Sequence, residues 1–211
     1  MNQTSELSTL LRSVCASLEK PVIVILLVIA AFTLVLLGTI IVELITERRR
    51  LNVWVPKLVD DIKAQEIPPA LCIKQSGLLK RQKIALIEIT DHKELTNAMR
   101  ESLAIRLIDE ARSRYEKITK LSDIIIRLGP VFGLLGTLIP LGPGIIALGR
   151  GDTFTLSQSL LTAFDTTIMG LICAAVATVI SVVRKRWYSD DMSMLETLMD
   201  CVLEVEKNDE K

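Results

Sequence analysis

The chain has 211 residues, half of them hydrophobic, with a mean hydropathy of +0.43. That is too apolar for an ordinary soluble domain, and with 24% charged residues the apolar ones must be segregated along the chain. The formal net charge is zero, which gives no reason to expect nucleic acid as a partner. The four cysteines, Cys15, Cys72, Cys173 and Cys201, show no CxxC or Cys/His spacing, so neither a disulfide framework nor a metal site is expected, and no cofactor is implied. The one histidine, His92, sits among charged residues and reads as a solvated surface group rather than a ligand.

The fold class predicted is all-α: a polytopic membrane protein with three transmembrane helices and long cytoplasmic helical extensions. Residues 1–20 come first. Leu7, Leu10, Leu11, Val14 and Leu18 recur at helical spacing and predict a short amphipathic helix lying on the outer face. Residues 21–45 form the first span, "PVIVILLVIAAFTLVLLGTIIVELI", longer than the roughly 20 residues a bilayer needs. It is followed by "ERRR" rather than a small-residue cleavage site, so it does not read as a signal peptide. Its Val, Ile and Leu content predicts a lipid-facing anchor.

Residues 46–123 form a cytoplasmic helical segment, punctuated by "EIPPA" at 66–70 and by Gly77. A helix is predicted to start near Asp91, whose side chain can cap, with Glu94 three residues on. Ala104, Ile108, Ala111, Tyr115 and Ile118 share one of its faces, and no breaker intervenes before Gly129. One long helix is therefore expected to rise into the second span, residues 124–148.

That span contains "GPVFGLLGTLIPLGPG", dense in the poorest helix formers. Pro140 and Pro143 predict a kinked or broken outer half. An outer loop at 149–159 leads to the third span, 160–183, and residues 184–211 form a cytoplasmic C-terminal helix. In it Met194, Leu195, Leu198, Met199 and Val202 keep helical periodicity.

Orientation follows from basic residues flanking the spans. Arg48, Arg49 and Arg50 follow span one; Arg112, Arg114, Lys117, Lys120 and Arg127 cluster before or at the start of span two; Arg184, Lys185 and Arg186 follow span three. All fall on one side if the N-terminus is outside and the C-terminus cytoplasmic.

Small residues mark close helix contacts in lipid. Ala163, Thr167, Gly170, Ala174, Ala177 and Ser181 make such a seam on span three, and Gly129, Gly133, Gly136 and Thr137 repeat the theme on span two. Spacing alone fits two readings. The seam packs helices within one chain, or spans from several subunits ring a pore. Asp165, an ionisable residue in span three, has three readings. It reaches water or a neighbouring threonine near the outer mouth, it faces an ion passage, or it packs against an Arg or Lys of a partner chain. A central aspartate costs about 2.5–3.5 kcal/mol to insert, an upper bound for a residue near the mouth.

"GPVFGLLGT" (129–137), preceded by a long amphipathic helix, resembles the MotA/TolQ/ExbB proton-channel family, and its TolQ/ExbB branch in particular. Pro130, Gly133, Gly136 and Thr137 carry the match there. In "AFDTTIMGLICAA" (163–175) it is Thr167 three positions before Gly170. The resemblance implies a homopentamer whose second and third spans line a pore. It also implies a single-span ExbD/TolR-like partner dimer inside, carrying a membrane aspartate that takes and releases protons. Threonines at Thr137 and Thr167 would line the passage, with Pro130, Gly133, Gly136 and Gly170 carried over at the pore-helix packing, to which the seam spacing adds Gly129 and Ala174. Asp165 stands where the branch usually has an apolar residue.

The expected function is then a proton-channel, stator-like subunit of an ion-motive-force-driven motor in the inner membrane, of the kind that serves protein transport or envelope functions. The alternative is a non-conducting scaffold docking a soluble partner through its cytoplasmic helices. No phosphate loop, metal spacing or nucleophile triad suggests an enzyme.

Overall fold

A computed structural model describes residues 2–48, 55–63, 69–92 and 95–209, and these are mainly helical with no strand among them. The helices are α1 (Asn2–Glu43), a π-helical turn at Leu44–Arg48, α2 (Val55–Lys63), α3 (Pro69–Gln75), α4 (Lys80–Asp91), α5 (Asn97–Gly149) and α6 (Thr153–Asp209). Three stretches are long and apolar enough to cross a membrane: Ser13–Thr46, Asn97–Gly149 and Thr153–Val205. The chain divides into two compact units, Met1–Thr39 with Lys120–Val182, and Ile40–Thr119 with Val183–Lys211.

The first unit is the spanning one. In α1 the amphipathic stretch 7–18 is not a separate helix. It is the start of a helix that continues unbroken through Pro21. Pro21 removes one backbone donor, yet the apolar run beyond it sustains the helix. Val22, Leu26, Ile29, Thr33 and Leu36 are buried in steps of four and three, one narrow stripe. Val24, Leu27, Val28, Leu34 and Val35 point away, so most of this helix remains uncovered by its own chain.

α5 and α6 form an antiparallel hairpin, and its turn is tighter than the sequence predicts. Only Arg150, Gly151 and Asp152 lie between the helices, so most of the expected outer loop is the first turns of α6. Gly151 adopts φ 79°, and its N–H donates to the Leu148 carbonyl at 2.9 Å while that of Asp152 donates to Ala147 at 3.0 Å. This is a Schellman closure, which favours glycine at the left-handed position. Asp152 then caps α6. Its carboxylate accepts from the Thr155 backbone N–H at 3.0 Å and from the Thr155 hydroxyl. The two signals sit side by side as "GD", and a reading of helix ends rather than of hydropathy finds them.

Of the kinked or broken outer half that Pro140 and Pro143 predict, the break does not occur. α5 runs without a break through Pro130, Pro140 and Pro143 to Gly149. Pro140 is buried, whereas Pro130 and Pro143 are exposed; prolines are tolerated in membrane spans where neighbouring helices or local adjustments satisfy the freed backbone groups.

The second unit surrounds a core of Leu58, Ile62, Ile73, Leu86, Ile89, Leu198, Met199 and Val202, drawn from α2, α3, α4 and the end of α6. Ala104, Leu107, Ile108 and Ala111 of α5 pack on it, which is the face the periodicity predicts. The start of α5 is later than predicted. Asp91 ends α4, and the Thr96 carbonyl accepts the first bond of α5, from Arg100 N–H at 3.0 Å. Glu94 lies outside the described residues, as do Arg49, Arg50 and most of "EIPPA". Gln82 ties the unit together by donating to the Asp191 carbonyl at 3.0 Å while its Oε1 accepts from Leu79 N–H at 3.2 Å. Tyr115 and Tyr188 stack with ring centroids 4.3 Å apart. Arg184, almost fully buried, pairs with Glu43 at 3.2 Å. Burial, and then the Glu43 carboxylate, pushes the Tyr188 hydroxyl above its ordinary range.

The Asp152 cap gives a pH prediction. The Thr155 hydroxyl and then the Thr155 backbone N–H hold its carboxyl below the ordinary 3.8. A depressed carboxylate contributes stability that is complete above its unfolded value and fades as pH falls through its folded value. Asp152→Asn keeps a capping acceptor but no titrating charge. In detergent, the wild type should unfold at higher temperature than Asp152→Asn at pH 6, and this advantage should shrink as pH falls below 3.8 and through the lowered folded value. A constant difference across that range would remove Asp152 from the linkage.

Candidate functional site

The hairpin of α5 and α6 is built on missing side chains. A Cβ added to Gly129 would lie 2.7 Å from the Gly170 carbonyl oxygen and 3.4 Å from the Ala174 Cβ. One on Gly133 would touch Gly170 Cα and Thr167 Cα, each at 3.5 Å, and one on Gly136 would collide with the Thr166 side chain at 2.6 Å. Gly170 meets Gly129 and Gly133 in return. Of the two readings left open by the spacing, the glycines therefore serve close packing of two helices in one chain. The buried residues of α5 continue this line through Ser122, Ile125, Gly144 and Ala147, and those of α6 through Ala163, Thr166, Cys173, Ala177 and Ile180.

Thr167 does not sit in the centre of that seam. It lies at its margin, half-buried, with its hydroxyl 3.1 Å from the Ala163 carbonyl and 3.4 Å from the Gly133 carbonyl across the hairpin. Thr137 is also half-buried, its hydroxyl donating to Leu134 at 2.7 Å. Both line one groove of about 420 Å³, with Pro130, Gly133, Leu134, Phe164 and Leu171 as the other walls. A hydroxyl carries one donor and two acceptor lone pairs. With each donor turned to a backbone carbonyl, the groove receives acceptors from an otherwise apolar wall. Such a surface can hold water or a hydrated proton without a fixed charge.

The structure thus brings Thr137, Thr167, Pro130 and Gly133 to one groove, and puts Gly129, Gly136, Gly170 and Ala174 in the packed seam beside it. Asp165 joins neither. It is exposed on the face of α6 that also carries Leu161, Ile168 and Ile172, turned away from the seam. It is only two residues from Thr167, or about 3 Å along the axis.

One polar pair escaped the sequence reading. The Ser181 hydroxyl donates to Asp123 Oδ1 at 2.8 Å, joining the open end of the hairpin. Ser181 was visible only as a small seam residue, and Asp123 only as the end of a soluble segment. The available signal was helical period. Asp123 and Thr137 are four turns apart on one face of α5, as Ser181 and Thr167 are on α6.

The glycine packing predicts a sharp contrast. Gly170→Ala should cost about 1–3 kcal/mol, because its methyl meets backbone that must move. Gly142, in the same hairpin, has nothing within 4 Å of an added Cβ, and Gly142→Ala should stabilise by about 0.5–1 kcal/mol through helix propensity. Equal unfolding midpoints for the two variants in detergent would contradict the close approach.

Comparison with known proteins follows this geometry. The model of the MotA/TolQ/ExbB proton channel family matches residues 73–197, more than half of the chain and all of the groove. No curated protein matches the chain.

Proposed function

The chain belongs to the MotA/TolQ/ExbB proton channel family, and from that premise we propose that it is the channel-forming, stator-like subunit of a TolQ/ExbB-type motor driven by ion-motive force. The observation that carries this reading is the groove in which Thr137 and Thr167 meet. Two hydroxyl oxygens that offer lone pairs to an otherwise apolar hollow can hold water or a hydrated proton in transit, a role that the scaffold reading does not give them.

A single copy supplies only one wall. Val131, Leu134, Leu138, Leu161, Ile168 and Leu171 are exposed on the isolated hairpin, and further copies would cover part of them. We place five copies in a ring in the inner membrane, around an ExbD/TolR-like single-span dimer whose membrane aspartate exchanges protons with the groove. Asp165 lies at the depth of the groove but on another face of α6, so in a ring it acts from the boundary between subunits. We place the turn at 150–152 outside and the second unit in the cytoplasm, a placement that the flanking charges support. The chain itself catalyses no covalent chemistry.

The test is proton flux through the complex purified with its co-purifying single-span chain and reconstituted into vesicles. Thr137→Val and Thr167→Val keep size and remove the hydroxyl; each should lower flux about tenfold or more with assembly intact. Asp165→Asn should lower partner-dependent flux as well. Wild-type flux in both threonine variants would reject the relay, and wild-type flux in Asp165→Asn would remove that residue from the passage.

Orientation has its own test. Cys15 is exposed, Cys72 is half-buried and Cys173 and Cys201 are buried. A membrane-impermeant thiol reagent applied to intact cells should therefore label Cys15 and leave Cys72 untouched until the membrane is permeabilised. Labelling of Cys72 in intact cells would invert the topology.

A further inference from the structure

A pathway that begins at the groove needs an end. On α5, Pro130, Leu134 and Thr137 line the groove, and Asp123 falls on the same face two turns further from the hairpin turn. On α6, Thr167 and Leu171 line the groove, and Thr178 and Ser181 continue their face in the same direction. The two faces meet again where the Ser181 hydroxyl donates to Asp123 Oδ1 at 2.8 Å. One flank of the hairpin therefore has threonine hydroxyls at its middle and a carboxylate at its open end, about 21 Å apart along the helix axis.

We propose that Asp123 is the inner proton acceptor of this channel, the group through which protons leave the threonine groove for the cytoplasm. The inference rests on the channel reading above. In the step, a hydrated proton from the groove transfers to a carboxylate oxygen of Asp123, and the carboxylic acid then gives the same proton to cytoplasmic water. No bond other than O–H changes, and the carboxylate is regenerated.

Three features favour this over a merely structural clamp. First, a clamp needs only one donor and one acceptor, which an asparagine or a backbone carbonyl provides without the cost of bringing a carboxylate to the edge of a bilayer. Second, Asp123 is half-buried rather than sealed, so water can reach it. Third, its neighbour Ser122 is fully buried, with a hydroxyl that makes no hydrogen bond among the described residues, so the polar groups at this end are not consumed by packing. The cations of α5 on the same face are Lys120, exposed and one turn towards the helix start, and Arg127, exposed and one turn towards the groove.

The experiment uses the full chain in complex with its co-purifying single-span chain, in vesicles containing an entrapped pH dye and energised by a potassium diffusion potential. Asp123→Asn keeps the acceptor for Ser181 and should reduce proton uptake at least tenfold. Asp123→Glu should retain most of it. Asp123→His should conduct with a dependence on cytoplasmic-side pH that inflects near the imidazole value of about 6.5, which a purely structural role would not produce. Wild-type uptake in Asp123→Asn, or failure of both the Asn and the Glu variants to assemble, would overturn the inference and leave the groove as it stands. Absence of uptake in the wild-type complex would overturn the channel reading and this inference with it.

Discussion

Everything in the spanning unit depends on how closely α5 and α6 approach. The Gly170 carbonyl lies where a Gly129 side chain would be, and Gly133 sits against the backbone of α6. In lipid there is little hydrophobic gain from bringing two apolar helices together, so contact area and packing density must hold them. Three glycines facing one another give that area. They also set the depth of everything else. With the backbones this near, Thr167 reaches the Gly133 carbonyl across the gap, and the hollow left at the margin is narrow enough for two hydroxyls to share. A bulkier seam would separate the helices and open that hollow into an ordinary lipid-facing furrow.

The two units solve different solvent problems with the same long helices. In the second unit water supplies the drive, and the response is a core of Ile, Leu, Met and Val with a buried Glu43–Arg184 pair at its edge. Removing one partner of such a pair costs more than the pair contributes, because it strands a buried charge. In the spanning unit the polar groups are small, near the helix surface and satisfied by backbone carbonyls: Thr33 on Ile29, Thr137 on Leu134, Thr166 on Ala163. Threonine is the residue that can be polar towards a groove and still return its proton to its own helix.

Much of this was legible in the sequence because hydropathy and helical period report burial directly. The three spans, the unbroken rise of α5, the core face of Ala104, Ile108 and Ala111, and the terminal run from Leu195 to Val202 all follow from periodicity. What was less legible depends on competition or on distance. The loop at 149–159 shrank to three residues because the cap at Asp152 outweighs the polar composition of "TFTLSQS". The prolines did not break α5; Pro140 is buried while Pro130 and Pro143 are exposed, so propensity at single positions does not decide whether a long apolar helix continues. Asp165 shared a segment with Thr167 but not a face, because two residues on a helix are about 200° apart. The Asp123–Ser181 bond joins residues 58 positions apart, and no local pattern announces such a pair.

The distribution of charge along the hairpin follows from the cost of placing ions in hydrocarbon. An aspartate near the bilayer centre costs about 2.5–3.5 kcal/mol, and this chain puts none at the middle of its groove. The centre carries hydroxyls, which can bind water while remaining neutral. The carboxylate on that flank, Asp123, stands at the open end with Ser181 as its donor. On the proposed channel reading, a single chain offers hydroxyls and no resting charge at the centre of its groove, and the group that holds a proton at mid-membrane is supplied by the partner. On that reading, coupling between ion flow and partner movement follows from which residues are missing from the centre of the groove.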